Sequence, residues 1–586
     1  MKWKMILTKP LRESINLTPL GENIWEKMFR VDEETKEQSY WRTCLHYADD
    51  RAHAERLYRY VQRHWFMFST PLLSNGGTSR GLPISCFLNT VEDSTEGILK
   101  TYDENAHLSR IGGGLGTDWS QVRSFGSSTS VGNISSGIIP FIKVLDSISL
   151  AFDQGATRRG STAVFLDVSH PEIEEFLDMR KPSGGDFNRK ALNLHAGVNI
   201  SDEFMKAVKY DFPFNLTDPN SKEITKTVSA RMLWQKLLAT RQATGEPYLI
   251  FLDKANELMN PYLKEQGKKI RQSNLCTEIF LPTEPDYTAV CCLSSLNLAK
   301  FTEWQGEAES FIEDLIRMLD NALEKFAEAE NPALRHARAS VLNERSIGLG
   351  TMGWHSFLQQ IEIPFESASA IAWTNKIFKT IRQNAVKASK VLAKERGEPE
   401  GIKGSGMRNA HLLAIAPNAT SSNMCGEVSP GVEPFSSNYY TKKTKAGTSF
   451  FKNPNLFKYI PEDDTETWKS ILNHEGSVQH LDHLDPKIKE VFKTAYEINQ
   501  DWIVEQAQHR QNWLCQGQSI NLFFEEDADP SVINQVHFNA WAKGLKSVYY
   551  YRNKSLRRAE NISVEQKRNL KEELEFNNDE CIACES

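Results

Sequence analysis

The chain has 586 residues, 25% of them charged and 40% hydrophobic, with a formal net charge of −7. Such values describe an ordinary globular protein and argue against a general nucleic-acid coat, which needs positive charge. No apolar run approaches the roughly 18 residues of a membrane span, and the apolar stretch beside Lys2, Lys4, Lys9 and Arg12 is too short for a secretory leader. A cytoplasmic, reducing setting is therefore expected, with neither a membrane nor nucleic acid as a direct partner. Nine cysteines are too sparse for a disulfide scaffold. The one C-x-x-C, Cys581 to Cys584, lacks the second pair of a four-cysteine zinc site.

In chain order, the first 65 or so residues read as charged helix. Short apolar runs at 163–168, 197–200 and 248–252, each bounded by turn or charged residues, read as buried parallel strands. Ile312, Leu315, Ile316, Leu319, Leu323 and Phe326 recur at helical spacing, with Glu313, Asp314, Arg317 and Asp320 on the opposite face. Ile377, Ile381, Ala385, Ala388 and Leu392 mark a second helix, with Gly397 as its C-terminal cap. Strands alternating with helices predict an α/β fold with a parallel sheet, and these patterns alone leave barrel and open sheet as alternatives. The last residues, from Glu560 to Ser586, are charged and read as a mobile terminus.

Two motifs fail on inspection. Ile111-Gly-Gly-Gly-Leu-Gly116 lacks the G-x-G-x-x-G spacing of a dinucleotide loop. Glu104-Asn-Ala-His107 is a lone E-x-x-H, and a di-iron site needs two such motifs plus further carboxylates. No metal site is expected in this chain.

The segment Arg271-Gln-Ser-Asn-Leu-Cys-Thr-Glu278 carries the most chemistry. Asn274, Cys276 and Glu278 stand at i, i+2 and i+4, so in an extended segment they face one way. A carboxylate there can take a proton from a hydroxyl, an amide can orient that hydroxyl, and the thiol between them can be a nucleophile or a hydrogen-abstracting radical. Alone, the segment reads more readily as a polar strand edge with a buried thiol.

Taken with Ser85-Cys86, with Ala289-Val-Cys-Cys-Leu-Ser-Ser-Leu-Asn297 and with Val548-Tyr-Tyr-Tyr551, the segment resembles the large, catalytic subunit of class I ribonucleotide reductases, from about Phe68 to the C-terminus. The resemblance implies an α/β fold, a ten-stranded α/β barrel over 66–558 with a central finger loop carrying the radical cysteine. A small helical region over 1–65 precedes the barrel, and a redox tail over 559–586 follows it. It implies a ribonucleoside-diphosphate reductase: Cys276 forms the thiyl radical that removes the ribose 3′-hydrogen, Glu278 is the base at the 3′-hydroxyl, and Asn274 is its hydrogen-bonding partner. Cys86 and Cys291 are the dithiol that reduces the 2′-carbon and closes to a disulfide. Cys291 is chosen over Cys292 because the family reads Cys-x-Leu before a small-residue pair. A dithiol supplies the two electrons this reduction needs.

The resemblance implies that Cys581 and Cys584 exchange with the used disulfide and are themselves reduced by thioredoxin or glutaredoxin. Without the internal cysteines, that C-x-x-C would read as half a zinc site or an inert tail. Tyr549 and Tyr550 match the tyrosine pair that relays the radical from a metal-containing small (beta) subunit, so no cofactor is expected in this chain itself. Tyr551 has no assigned role. Thr70 and Ser85, with Thr420, Ser421 and Ser422 in Pro417-Asn-Ala-Thr-Ser-Ser-Asn423, match substrate contacts, the last three at the diphosphate. Some relatives carry an acidic residue where this chain has Ala419.

Asp93 and Arg123 match effector contacts for dNTP or ATP with Mg2+, and Ser124 to Ser136 resembles a companion loop. Gln154-Gly-Ala-Thr-Arg-Arg-Gly-Ser161, with Gln154, Arg158 and Arg159, resembles the loop linking effector to substrate choice, and otherwise reads as a basic turn. In the family these sites form in a homodimer. Too few residues precede the barrel for an N-terminal ATP-cone, so no overall dATP switch is expected. An adenosylcobalamin-dependent (class II) reductase and a non-catalytic nucleotide-binding regulator are the alternatives. The tyrosine run speaks against the first, and the intact cysteines at 86, 276 and 291 against the second.

Overall fold

The computed structural model describes residues 14–129, 132–152, 161–444 and 447–554. Short capped helices open the chain at Pro19–Ile24, Lys36–Tyr47 and Arg51–Gln62. The second has a full capping box, with the Thr35 side chain taking the Gln38 amide and Gln38 returning to the Thr35 amide. Asp50 caps the third through His53.

The strands are β1 (Phe66–Phe68), β2 (Cys86–Thr90), β3 (Gly114–Asp118), β4 (Ser161–Asp167), β5 (His195–Ile200), β6 (Pro213–Thr217), β7 (Ile224–Ser229), β8 (Tyr248–Phe251), β9 (Ala289–Asn297), β10 (Ile347–Met352), β11 (Tyr439–Thr444), β12 (Gly447–Lys452), β13 (Leu522–Phe524), β14 (Ser547–Val548) and β15 (Tyr551–Asn553). The runs expected at 163–168, 197–200 and 248–252 are thus β4, β5 and β8. With β2 and β3 they form a parallel half-ring in the order β2-β3-β4-β5-β8. β9 pairs antiparallel with β2 and parallel with β10, so a second half-ring begins there.

Segments without strand assignment close the circle. Leu349 bridges Leu413 and Ile415 bridges Gln518, both in parallel. The Tyr549 amide then donates to the Ile520 carbonyl at 2.8 Å, one residue past β14, which is antiparallel to β8. The staves β2, β3, β4, β5, β8, 547–549, 516–520, 411–415, β10 and β9 make the expected barrel of ten, while β1 lies along the far half of β9.

Helices cover the outside. Ala308–Ala327 buries Ile312, Leu315, Ile316, Leu319, Leu323 and Phe326 against the core, as its spacing predicts. Ala368–Arg396 buries Ile377, Ile381, Ala385, Ala388 and Leu392, and its cap Gly397 has φ 82°. Two residues assigned to the polar face of the first helix are in fact buried. Asp314 pairs with Arg56 at 2.7 Å and accepts from Tyr60 at 3.0 Å. Asp320 lies among Arg345, Arg396 and Arg408. Burial pushes the Asp320 carboxyl up, but the attraction of Arg345 and its neighbours outweighs it and holds the carboxyl below its usual range. Charge alone did not distinguish a solvated carboxylate from one partnered through folding. Among the described residues no helix is long and apolar enough to cross a membrane.

Candidate active site at the finger-loop tip

Residues 271–283 run through the inside of the barrel. Arg271 Nε donates to the Thr283 carbonyl at 3.2 Å and Thr283 Oγ1 to Gln272 Oε1 at 3.0 Å, closing the base of the loop. Gln272 Nε2 donates to the carbonyls of Asn89 on β2 and Gly116 on β3, and Asn199 on β5 donates to the Arg271 carbonyl. The loop passes β3 so closely that a Cβ at Gly116 would sit 2.1 Å from the Ser273 carbonyl oxygen. The glycine-rich stretch at 111–116, empty of meaning as a nucleotide motif, is where the barrel wall admits the finger.

The same-face spacing of Asn274, Cys276 and Glu278 does not operate as predicted, because the segment is not extended. Leu275 and Cys276 form a turn and Thr277 is left-handed with φ 66°. The Asn274 amide donates to the Ile279 carbonyl at 3.3 Å, and Asn274 Oδ1 accepts from the Ile279 amide at 3.1 Å. The three residues are gathered by a tight turn at the loop tip, with alternation playing no part. All three are buried. Ser519 donates to the Cys276 carbonyl and also lies 3.3 Å from Glu278 Oε2, while the Gly517 amide donates to the Glu278 carbonyl at 2.7 Å. Ser519 and Gly517, within Cys515-Gln-Gly-Gln-Ser519, were not singled out from the sequence. They sit on a stave too irregular to carry a strand pattern.

Cys86 opens β2 and Cys291 lies in β9, as direct register partners of the antiparallel pair. Opposed Cα atoms in such a pair are about 4.5–5.5 Å apart, inside the range that a disulfide spans. Neither cysteine is in a disulfide. Burial, and after it the neighbouring Cys86, push the Cys291 thiol well above its ordinary value, so it is held protonated. Asn274 Nδ2 donates to Cys86 Sγ at 3.4 Å, and Gln516 Nε2 to Cys291 Sγ at 3.6 Å. Asn274 thereby ties the finger tip to the thiol pair. Strand alternation separates Cys291 from Cys292: the former shares an apolar cluster with Cys86, Leu88, Ile279 and Ala414, and the latter joins the outer hydrophobic core.

Cys276 belongs to another cluster, with Tyr549, Tyr550, Tyr248 and Phe280. The ring centroids of Tyr549 and Tyr550 are 4.3 Å apart, and Tyr248 stands 4.7 Å and 5.0 Å from them. Tyr551 turns outward and stacks on Phe524 at 4.9 Å within the main core. In the sequence, Tyr248 is legible only as part of the strand over 248–252.

Thr70, Ser85, Thr420, Ser421 and Ser422 are all buried. Ser85 Oγ is 3.6 Å from Cys86 Sγ, and Ser421 Oγ donates to the carbonyl of Phe68, two residues before Thr70. Asn418 adopts φ 61° before the short helix Ala419–Met424. Its side chain donates to the Thr351 and Ala416 carbonyls and accepts from Ser295, leaving the helix start without a side-chain cap. Asp93 and Arg123 meet in an ion pair, Arg123 Nε lying 3.0 Å from both carboxylate oxygens. Glu104 and His107 diverge, Glu104 accepting from Asn89 and Thr288 inside while His107 lies half exposed beside Asp103. Gln154, Arg158 and Arg159 lie outside the described residues, as do Cys581 and Cys584.

Comparison with known proteins agrees along the chain. Residues 15–81 match the family model described as ribonucleotide reductase, all-alpha domain, and residues 84–404 and 399–551 match ribonucleotide reductase, barrel domain. A putative ribonucleoside-diphosphate reductase large subunit of Frog virus 3 is 46% identical, over 91% of this chain and 92% of that protein. The ribonucleoside-diphosphate reductase large subunit of Invertebrate iridescent virus 3 is 39% identical, over 87% and 89%. Among solved structures, the Actinobacillus ureae class Id ribonucleotide reductase alpha subunit superposes with a TM-score of 0.82 at 36% identity, covering 92% of this chain and 97% of that one.

Proposed function

The chain belongs to the ribonucleotide reductase family as a class I large subunit, and on that premise we propose that its finger tip, thiol pair and tyrosines carry the reduction of a ribonucleoside diphosphate. It is a catalytic subunit that makes deoxyribonucleotides, and its radical comes from a separate small subunit. The observation that carries the site assignment is the opposition of Cys86 and Cys291 beside the finger tip.

In this reading Cys276, as a thiyl radical, takes the 3′-hydrogen of the ribose. Glu278 takes the 3′-hydroxyl proton and Asn274 orients that hydroxyl. The 2′-hydroxyl leaves as water after protonation by the thiol pair. Cys86 and Cys291 together give up two electrons and close an S–S bond, Glu278 gives its proton back to the 3′-oxygen, and Cys276 then returns the 3′-hydrogen. A raised thiol pKa suits this work, since the pair serves as proton donor and hydrogen source before it serves as a nucleophile. Register pairing supports it too, because the disulfide needs no strand movement.

Thr70, Ser85, Thr420, Ser421 and Ser422 would hold the substrate. The start of the helix Ala419–Met424, which has no side-chain cap, would face the diphosphate, alongside the hydroxyls. Asp93 and Arg123 would answer to an effector nucleotide with Mg2+ in a homodimer, with Gln154, Arg158 and Arg159 relaying its identity. Cys581 and Cys584 would reopen the disulfide and pass its oxidation to thioredoxin or glutaredoxin. The metal-bearing small subunit would deliver the radical through Tyr550 and Tyr549. The packing of both phenols with Cys276 supports that route over an adenosylcobalamin-dependent one, which needs no relay. The test is deoxynucleotide formation from a ribonucleoside diphosphate with the small subunit present. Turnover that needs only adenosylcobalamin would overturn this reading.

A further inference from the structure

We infer that His195 and Glu246 form the proton-accepting site for Tyr550, so that oxidation of this tyrosine deposits its proton on a buried imidazole–carboxylate pair. The inference rests on the reading of Tyr550 as a radical relay. Tyr550 Oη lies 3.2 Å from His195 Nδ1, and the same nitrogen lies 2.6 Å from Glu246 Oε1. The carboxylate is fixed from its other side, where Oε2 accepts the Ala196 amide at 2.9 Å and lies 3.3 Å from Arg180 Nε. The Glu246 side chain is 2% exposed and that of His195 13%.

Burial pushes the Glu246 carboxyl up, but Arg180 and His195 outweigh it and hold it below its usual range, so it is ionised and able to accept a proton. Arg552 lies over the Tyr550 ring at 4.3 Å. A cation on the ring face opposes any protonated, positively charged form of the oxidised phenol, which raises the need for an acceptor at the oxygen. Tyr549 sits deeper, at 1% exposure against 7% for Tyr550.

One electron leaves Tyr550 for the oxidant that the small subunit supplies, which is reduced. The Nδ1 proton first crosses to Glu246, which frees the nitrogen's one in-plane lone pair, and that lone pair then takes the phenol proton as the O–H bond breaks. A neutral phenoxyl and a protonated carboxyl remain. Passing the radical inward moves a hydrogen atom from Tyr549 to Tyr550 and leaves the deposited proton in place. When the radical returns to the small subunit, Tyr550 regains its electron and Glu246 gives the proton back.

The experiment uses the full chain with its small subunit. Glu246→Gln should lower kcat by about 10²-fold, the usual worth of a positioned acid–base group, with little change in KM. The same substitution is then made in a chain carrying at position 550 a fluorinated tyrosine whose phenol is already ionised at the assay pH. That phenolate has no proton to lose, so Glu246→Gln should cost it less than threefold. A merely structural role would slow both enzymes equally, and that result, or an unchanged kcat in the first variant, overturns the inference. Tyr550→Phe is the separate control. If it leaves turnover intact, the relay reading itself fails.

Discussion

Cys86 and Cys291 stand opposite each other as register partners of two antiparallel strands, although 204 residues of chain separate them. The barrel supplies this pairing by placing β2 at the end of one half-ring and β9 at the start of the other. A dithiol built across that seam can close to a disulfide within the existing backbone spacing.

Cys291→Ala should end multiple turnover, whereas Cys292→Ala should retain it, because Cys292 faces the outer core. The latter should cost about 1–2 kcal/mol of stability. Steady-state kinetics and thermal unfolding of the two variants check this, and loss of turnover in Cys292→Ala alone would reverse the assignment.

Gly116→Ala should lower kcat by about 10²-fold, since its Cβ would meet a backbone carbonyl of the finger and the finger must shift. Circular dichroism should show the fold retained. A variant with normal kcat would mean that the finger is not held at this point.

Tyr549→Phe should abolish turnover and Tyr551→Phe should not. The Tyr551 hydroxyl is buried with no hydrogen-bond partner among the described residues, so removing it should leave stability unchanged or raised. Assays of the two variants with the small subunit decide between them.

Burial pushes the Glu433 carboxyl up to about 7 against the donors on Asn521, whose Oδ1 in turn accepts the Tyr550 amide. The folded state thus binds this proton more tightly than the unfolded state does. Its contribution to stability is complete below the ordinary value of 4.5 and is lost as pH rises through about 7. The loss is about 3 kcal/mol. Glu433→Gln should therefore flatten the fall in unfolding midpoint between pH 5 and pH 8, and an identical fall in both proteins would contradict it.

Much of this site was legible in the sequence because its residue types are chemically unusual together. Cys276, Glu278 and Asn274 stood out as one cluster, and the helices over 308–327 and 368–396 followed from their spacing. The cluster does not arise from strand alternation, since a left-handed Thr277 turns the chain where the i, i+2, i+4 spacing predicts an extended run. A non-glycine residue in that conformation leaves no mark on hydrophobic patterning. His195, Glu246 and Tyr248 went unseen because each lies at the start of, or just before, a strand whose apolar residues dominate the pattern, and only the barrel brings them to Tyr550. Asp314 and Asp320 looked solvated because the arginines that pair with them come from distant segments.

The central claim is that Cys86 and Cys291 supply the electrons, and one measurement addresses it directly. The reduced chain is mixed with its small subunit and a ribonucleoside diphosphate, without any external reductant and with Cys581 and Cys584 replaced by alanine. Product is counted and disulfide-linked peptides are identified by mass spectrometry. About one deoxynucleotide should form per active site, matched by one Cys86–Cys291 linked peptide, as two electrons per disulfide require. Deoxynucleotide formed while both of these thiols remain free would contradict the account.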